Sequence, residues 1–302
     1  MSIVPSGDST LELSAEFFPP KSEKGRVSTV AAAADMKPLG LSFCSVTYGA
    51  GGTNQTGTQD TALAVAHAAG SEPAGHLTAV GASRSDVDAV ADGFWRSGIR
   101  RIVALRGDPQ GNASRYEAHP DGYQNAADLV AGLRRLHDFD ISVAAYPEKH
   151  PESATVDADI DNLKAKFAAG ADRGITQFFF DPEAFLRFRD RAAARGVWQP
   201  IVPGILPIRN IEQVVGFAER CGAAVPGHVV AAFDACTSAA DRKQVAIDLA
   251  HRMCERLLRH GVREFHFYTL NKADLTEAVC ARLMNSADTD KSAATRAAFA
   301  AN

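Results

Sequence analysis

Two kinds of hydrophobic pattern alternate along the chain. Short runs rich in β-branched and aromatic residues recur eight times, and stretches with apolar residues at helical spacing lie between them. Strands that alternate with helices in this way form a parallel sheet. The predicted strands cover residues 11–17, 41–48, 76–80, 101–105, 141–146, 175–180, 200–206 and 264–270. Eight such units in a chain of 302 residues predict an α/β fold, a (β/α)8 TIM barrel.

The helical pattern is clearest over residues 238–260, where Ser238 and Asp241 have the spacing of a capping box. Over 85–97, Ser85 is the predicted N-cap. Because the regular alternation leaves no room for a linker, we expect a single domain over 1–302 with its core at about 11–280. The tail from about residue 286 is polar and rich in alanine, and we expect it to fray.

Composition and charge narrow the class of protein. The formal net charge is -4, which argues against a nucleic-acid binder, since these usually carry a basic surplus. We expect no membrane association, because no signal peptide is visible and no apolar stretch approaches the roughly 18 residues of a membrane span. Five scattered cysteines without a C-x-x-C pair predict reduced thiols in a cytoplasmic protein. The nine histidines lack metal-ligand spacing, so we expect no metal.

Polar residues stand at the predicted carboxyl ends of the strands, where barrel enzymes carry their active sites. They are Glu16, Thr47, Arg106, Asp108, Tyr146, His150, Gln177 and Asn271. The segment GAGGTN at 49–54 resembles a dinucleotide-binding loop, but its last residue is Asn54 and no acidic residue follows at the right strand end. The sequence therefore favours a metal-free site built from carboxylates, an amide and aromatic rings.

Glu16 lies next to Phe17 and Phe18, so we expect burial to raise its pKa and let it donate a proton. The alternative is a structural ion pair with a lysine at the rim, such as Lys21.

Arg106 and Asp108 flank Gly107 at the end of the fourth predicted strand. Arg106 could hold a phosphate or a flavin carbonyl, and the alternative is a rim ion pair between the two side chains. After the fifth strand, Lys149 and His150 could face phosphate oxygens, or belong to a stiff surface loop. Gln177 lies among apolar neighbours, and because a buried amide needs hydrogen-bond partners, we expect it to contact a ligand.

Seven motifs together resemble one known family. They are EFFPP (16–20), SVTYGAGG (45–52), ALRGDP (104–109), DISVAAYPEKHPE (140–152), ITQFFFD (175–181), PGILPI (203–208) and FHFYTLN (265–271). In this order and spacing they are similar to the bacterial methylenetetrahydrofolate reductases, over about residues 11–280. The resemblance implies a flavin-dependent (β/α)8 barrel of one-carbon metabolism and methionine biosynthesis. Such an enzyme transfers hydride between NADH or NADPH, FAD and tetrahydrofolate derivatives in a ping-pong cycle, usually as a homo-oligomer.

The resemblance also assigns roles to individual residues. Glu16 matches the general acid, and Asp108 matches a carboxylate near flavin and folate. Substrate contacts carry over to Asp108, Gln177, Gln213, Phe217 and Lys272. Contacts with FAD carry over to Thr47, Tyr48, Ala50, His76, Arg106, Gly107, Asp108, Ala126, Tyr146, His150, Asp159, Asn162 and Lys166.

Three positions depart from the family's pattern, namely Asn125, Ala165 and Lys272. They lie at expected ligand surfaces and raise the hypothesis that the enzyme works in the direction of methyltetrahydrofolate oxidation. Two other functions stay open from the sequence. One is a barrel that binds folate or flavin without turnover, and the other is a metal-free aldolase that forms a Schiff base through Lys149 or Lys272.

Overall fold

The computed structural model of the chain describes residues 10–48, 55–109 and 116–300, with side chains described from 57 in the second segment and up to 287 in the third. The strands are β1 (Glu12–Phe17), β2 (Phe43–Val46), β3 (Glu72–Thr78), β4 (Arg101–Leu105), β5 (Asp140–Ala145), β6 (Arg173–Thr176), β7 (Ile201–Val202), β8 (Gly204–Ile205) and β9 (Glu264–Tyr268). The helices are α1 (Glu23–Asp35), α2 (Gln55–Ala69), α3 (Arg84–Arg96), α4 (Ala126–Leu136), α5 (Val156–Ala168), α6 (Pro182–Ala194), α7 (Ile211–Cys221), α8 (Gly227–Asp234), α9 (Ala239–Arg259) and α10 (Asp274–Ala300).

The strands form one parallel sheet that curls into a nearly closed barrel. Their order is β7-β6-β5-β4-β3-β2-β1-β9-β8, so β1 lies between β2 and the last strand of the chain. Helices separate most consecutive strands, and the predicted (β/α)8 TIM barrel is confirmed. All carboxyl ends of the strands therefore point to the same mouth.

The seventh predicted strand is split into two short strands around Pro203. Proline has no N–H to donate and interrupts the ladder there. β7 pairs with β6, whereas β8 pairs with β9, so the barrel closes through this bent segment. The bend is held by the Gly204 N–H, which donates to Thr176 Oγ1 at 2.9 Å, and by the His266 N–H, which donates to the Pro203 carbonyl at 3.0 Å.

Helix boundaries follow local capping. Ser238 and Asp241 form the predicted capping box at the start of α9. The prediction of Ser85 as an N-cap is wrong, because Ser83 caps α3 and Asp86, three residues later, completes a capping box with it. Helix α8 was not predicted. Helix α10 continues to Ala300, through the tail that we expect to fray, and the fraying itself stays a prediction.

Inside the barrel, a charged group and an apolar cluster lie below the mouth. At the amino ends of the strands, Asp140 is paired with both Arg101 and Arg173. Above this charged group, an apolar cluster separate from the main core consists of Phe43, Ala74, Ile175 and Val202. A cavity of about 230 Å³ remains among these layers at the amino ends of the strands, and a larger one lies at the carboxyl ends.

All five cysteines are free thiols, and three of them, Cys44, Cys254 and Cys280, are buried. In the described segments, no helix combines the length and the apolar character needed to cross a membrane.

Candidate active site

A cavity of about 580 Å³ opens at the carboxyl ends of β3, β4 and β5. Nine of the thirteen residues predicted to contact FAD line it, namely Tyr48, Arg106, Gly107, Asp108, Ala126, Tyr146, His150, Asn162 and Lys166. Asn125, the N-cap residue of α4, also lines it. These residues come from five separate parts of the chain, and the fold brings them to one wall. Their role in binding FAD stays a prediction.

The other predicted cofactor residues lie around this cavity or outside the described residues. Asp159 is buried behind the wall, where its carboxylate accepts from the His150 N–H at 2.6 Å and from the Ser153 hydroxyl at 2.5 Å. Thr47 directly follows β2, and His76 lies deeper in β3. Ala50, with the whole GAGGTN segment, lies outside the described residues.

The Arg106 guanidinium is held at the cavity by two neighbours. Its Nη1 lies 2.6 Å from Glu152 Oε2, and the group lies 4.6 Å from the centroid of the Tyr116 ring. The alternative of an ion pair between Arg106 and Asp108 is therefore wrong, since Glu152 is the carboxylate partner in the described part of the chain. Gly107 has φ +89°, and a Cβ there would lie 2.4 Å from Val80 Cγ1, so a larger residue would require Val80 or the Arg106–Asp108 turn to shift.

Lys166 places a buried amine against the cavity. Its side chain is buried, and Nζ donates to the Ala144 carbonyl at 2.8 Å. Burial lowers its pKa to about 8, although Asp159 acts in the opposite direction. A buried ammonium whose partner at hydrogen-bond distance, among the described residues, is a carbonyl is suited to bind an anionic or polar oxygen of a ligand.

The two basic residues of the loop after β5, Lys149 and His150, have different surroundings. His150 lines the cavity, and the Tyr146 ring meets it edge-on at 4.7 Å. Burial, with the charge of Arg106, lowers the pKa of His150, which favours the neutral imidazole. Lys149 instead donates to the Ser153 carbonyl at 2.6 Å and has φ 94°. Of the two alternatives for Lys149, these contacts favour the stiff loop, because its amine is bonded within the loop itself.

Glu16 lies at the end of β1 between two histidines. Its Oε2 is 3.3 Å from His76 Nε2 and 3.8 Å from His266 Nε2. On the far side of the second ring, His266 Nδ1 lies 2.8 Å from the Ser14 hydroxyl. Ser14 and Glu16 share one face of β1 because side chains alternate along a strand. The result is a buried polar row, Ser14–His266–Glu16, that ends at the mouth.

The expected rise in the pKa of Glu16 is wrong. Burial acts to raise the pKa of the carboxyl, but the imidazoles of His76 and His266 outweigh burial and lower it to about 2. The alternative of an ion pair with Lys21 is also not seen, since the two histidines are its partners among the described residues.

Of the predicted substrate residues, Asp108 lines the cavity and the other four lie outside its lining. Gln177 uses its Oε1 to accept from the Phe178 N–H at 3.0 Å. Phe217 is 39% exposed, and its ring centroid lies 5.2 Å from that of Phe178. Gln213 is one helical turn before Phe217, on the exposed face of α7, and Lys272 is exposed after β9. A role for these four residues in folate binding stays a prediction.

Three side chains of the site were missed from the sequence, namely Ser14, Glu152 and His266. Alternation along β9 could have identified His266, because it stands between the buried residues Phe265 and Phe267 and so points into the lumen. Glu152 lies at the edge of the loop, where the sequence offers no such signal.

Comparison with known proteins decides the family. The sequence profile of the family described as methylenetetrahydrofolate reductase matches residues 5–284. The chain belongs to the methylenetetrahydrofolate reductase family. It is 46% identical over 275 residues to the 5,10-methylenetetrahydrofolate reductase of Pectobacterium carotovorum subsp. carotovorum, covering 89% of both chains.

Other relatives support the same assignment to the methylenetetrahydrofolate reductase family. The 5,10-methylenetetrahydrofolate reductase of Escherichia coli K12 is 42% identical, over 89% of this chain and 90% of that one. A maize protein named methylenetetrahydrofolate reductase (NADH) 1 is 34% identical over 88% of this chain and 47% of its own length. Among solved structures, an uncharacterized Clostridium thermocellum protein that binds two copies of 5-methyl-5,6,7,8-tetrahydrofolic acid has a TM-score of 0.59 at 13% identity, over 93% and 96% of the two chains. At that identity, the likeness shows a shared fold.

Proposed function

We propose that this protein is a flavin-dependent oxidoreductase that interconverts 5,10-methylenetetrahydrofolate and 5-methyltetrahydrofolate. In this proposal FAD is the cofactor, NADH or NADPH is the other substrate, and the two substrates react in turn at one site. Membership of the family supports the reaction. The observation that carries the proposal is the cavity lined by nine predicted cofactor residues, with Glu16 at the end of a neighbouring strand. We also propose a cytoplasmic homo-oligomer, as the resemblance implies.

The residues of the cavity fit FAD. A volume of about 580 Å³ is in the range of cofactor sites. One wall offers the cations of Arg106 and Lys166 for phosphate oxygens, and the Asn162 amide for a hydroxyl or carbonyl. The aromatic ring of Tyr146 and the backbone at Gly107 offer flat surfaces against which a ring system can lie. When bound there, FAD would supply the acceptance and donation of hydride.

The protein's own task in the folate half-reaction is to handle one proton. Opening the five-membered ring of methylenetetrahydrofolate requires a proton on the departing amine, and Glu16 is placed to deliver it. The low pKa of about 2 means that the Glu16 carboxyl is ionised at neutral pH. We therefore infer that Glu16, in contact with His76 and His266, takes up the proton only in passing it to folate.

Asp108 and the rim residues would orient the substrates. Asp108 lines the cavity, and its charge adds to the burial that raises the pKa of Tyr146, so this phenol keeps its proton. Phe217 is exposed beside Phe178 and offers a ring for stacking, while Gln177 keeps its amide nitrogen available at the mouth. None of these groups needs to titrate for the reaction to proceed.

The Schiff-base alternative now has weaker support. Lys149 is tied to its own loop, and Lys272 is exposed at the rim. Lys166 is the lysine with a lowered pKa in the cavity, so a trapping test should examine it. If the protein were an aldolase, borohydride would reduce the Schiff base with a carbonyl substrate and leave the substrate covalently attached to the lysine. Our proposal predicts no such adduct.

The proposal is tested by titrating the purified protein with FAD, and then adding NADH, NADPH or methyltetrahydrofolate separately without oxygen. We expect tight non-covalent binding and bleaching of the flavin by a nicotinamide and by methyltetrahydrofolate. The relative rates of flavin reduction by a nicotinamide and by methyltetrahydrofolate test the hypothesis of methyltetrahydrofolate oxidation. That hypothesis comes from the departures at Asn125, Ala165 and Lys272. Absence of FAD binding would refute the proposed function.

A further inference from the structure

The segment after β9 holds the backbone of the segment after β1 through a set of side-chain hydrogen bonds. The regular pairing of these two strands ends at Glu16 and Tyr268. Beyond it, the Thr269 hydroxyl and the Thr269 N–H both donate to the Glu16 carbonyl, at 2.7 and 3.2 Å. We call residues 269–271, with these bonds and those of Asn271, the Thr269–Asn271 clasp.

Asn271 extends this attachment by two residues. Its Oδ1 accepts from the Phe18 N–H and its Nδ2 donates to the Phe18 carbonyl, both at 2.9 Å. One amide thus satisfies both backbone groups of Phe18, as a neighbouring strand would. The Asn271 N–H in turn donates to Thr269 Oγ1 at 3.1 Å, so the two side chains of the clasp are joined.

The clasp is built on an unusual turn. Leu270 has φ 50° and Asn271 has φ 57°, and the Lys272 N–H donates to the Thr269 carbonyl at 3.0 Å. Two successive residues with positive φ, enclosed by such a hydrogen bond, form a type I′ turn. The central positions of this turn favour glycine and asparagine. Leucine is disfavoured there, so the conformation needs support from its surroundings. The bonds to Glu16 and Phe18 provide that support.

We propose that Thr269 and Asn271 are positioning residues that hold the Glu16 carboxylate against its histidines and set its place for proton transfer to folate. This inference rests on the proposed function. Thr269 and Asn271 are buried, and the bonds fix the chain at Glu16 and two residues after it. A shift of about 1 Å at a reacting group typically costs on the order of 100-fold in rate. The clasp therefore acts on the folate half-reaction, whereas reduction of the flavin by a nicotinamide does not use the Glu16 proton.

The test compares Asn271→Gly, Asn271→Asp and Thr269→Val with the wild-type protein. Glycine keeps the left-handed turn but removes both bonds to Phe18, and aspartate keeps the acceptor for the Phe18 N–H alone. Ser42→Ala is the matched control. The Ser42 hydroxyl donates at 3.0 Å to the Leu13 carbonyl of β1, the strand that carries Glu16, but at the opposite end of the barrel. Each variant is assayed in both half-reactions by anaerobic stopped-flow, and the pKa of Glu16 is measured by carboxyl NMR.

We expect Asn271→Gly to slow the folate half-reaction by roughly tenfold to 100-fold, with Asn271→Asp between it and the wild type. Nicotinamide reduction of the flavin should stay within about twofold, and the pKa of Glu16 should rise toward its usual value. Ser42→Ala should change neither. Equal loss in both half-reactions, or an unchanged folate rate with an unchanged pKa of Glu16, would overturn the positioning role. If the wild type fails to react with folate, the proposed function is refuted. The pKa of Glu16 in Asn271→Gly then still shows whether the Thr269–Asn271 clasp positions the Glu16 carboxylate.

Discussion

At the scale of single residues, the site depends on how a few charges are shared. Glu16 is 20% exposed at its side chain and faces two imidazoles, and Lys166 is buried with a carbonyl as its partner. The sequence indicated both residues, Glu16 through the EFFPP motif and Lys166 through the FAD contacts that the resemblance implies. It did not indicate the direction of the pKa shift of Glu16. That shift depends on His266, which is 250 positions away in the chain and reaches Glu16 through the pairing of the first and last strands.

Replacing Glu16 by glutamine should separate the two half-reactions. Reduction of the flavin by a nicotinamide needs no proton donor to folate, so its rate should be retained. Opening of the methylenetetrahydrofolate ring should slow by about 100-fold or more, the usual contribution of a general acid. Stopped-flow measurement of each half-reaction checks this, and a parallel fall in both rates would make Glu16 a structural residue.

The low pKa of Glu16 also predicts a pH dependence of stability. Its pKa falls from 4.5 to about 2 on folding, so the ionised form stabilises the folded protein above about pH 4.5. This contribution is lost as the pH falls toward 2, and it amounts to at most about 3 kcal/mol. The free energy of unfolding, measured with urea, should therefore fall more steeply between pH 5 and pH 3 for the wild type than for Glu16→Gln. This pH range follows from the two pKa values. Parallel pH profiles would contradict the assignment.

Lys166→Met should weaken FAD binding without weakening the fold. Losing one hydrogen bond to a charged group costs about 1.5–3 kcal/mol, or roughly tenfold to 150-fold in affinity. Because burial opposes the charge of Lys166 while Asp159 favours it, methionine should change the free energy of unfolding little. Fluorescence titration with FAD and thermal unfolding measure the two effects. Unchanged FAD affinity would show that Lys166 does not hold the cofactor.

At the scale of elements, the least predictable part is the closure of the barrel. The hydrophobic run at 200–206 predicts one strand, whereas the structure has β7 and β8 on either side of Pro203. The sequence pattern is continuous because both halves are apolar. The break is visible only in the structure, where β7 pairs with β6 and β8 pairs with β9. Ser83 was missed as an N-cap for a local reason, since Ser83 and Ser85 each have an aspartate three positions later, Asp86 and Asp88, and this pattern does not separate the two serines.

The closure predicts a severe effect at Gly204. A Cβ there would lie 2.2 Å from the Thr176 carbonyl oxygen, so β6 and β8 would have to separate. Gly204→Ala should lower the free energy of unfolding by about 1–3 kcal/mol. Gly227→Ala is the control, because a Cβ at Gly227 would have no heavy atom within 4 Å. Urea unfolding compares them, and equal stability of the two variants would show that the closure tolerates a side chain.

At the scale of the whole molecule, the fold was predictable because its signal is repeated eight times. Each strand and helix alone is ambiguous, but their regular order leaves few topologies other than a barrel. The place of the mouth then follows from the carboxyl ends of the strands, where the polar residues stand. Contacts between distant parts of the chain, such as Arg106 with Glu152 and Asn271 with Phe18, were not predictable because no local pattern encodes them.

The central claim is that one site passes hydride between a nicotinamide and a folate by way of a bound flavin. The most direct measurement is anaerobic stopped-flow of the FAD-loaded protein, mixed separately with NADH, NADPH and methyltetrahydrofolate, followed by mixing of the reduced protein with methylenetetrahydrofolate. The account predicts that a nicotinamide and methyltetrahydrofolate each bleach the flavin, and that methylenetetrahydrofolate restores its colour. A flavin that stays oxidised with methyltetrahydrofolate, and stays reduced with methylenetetrahydrofolate, would contradict it.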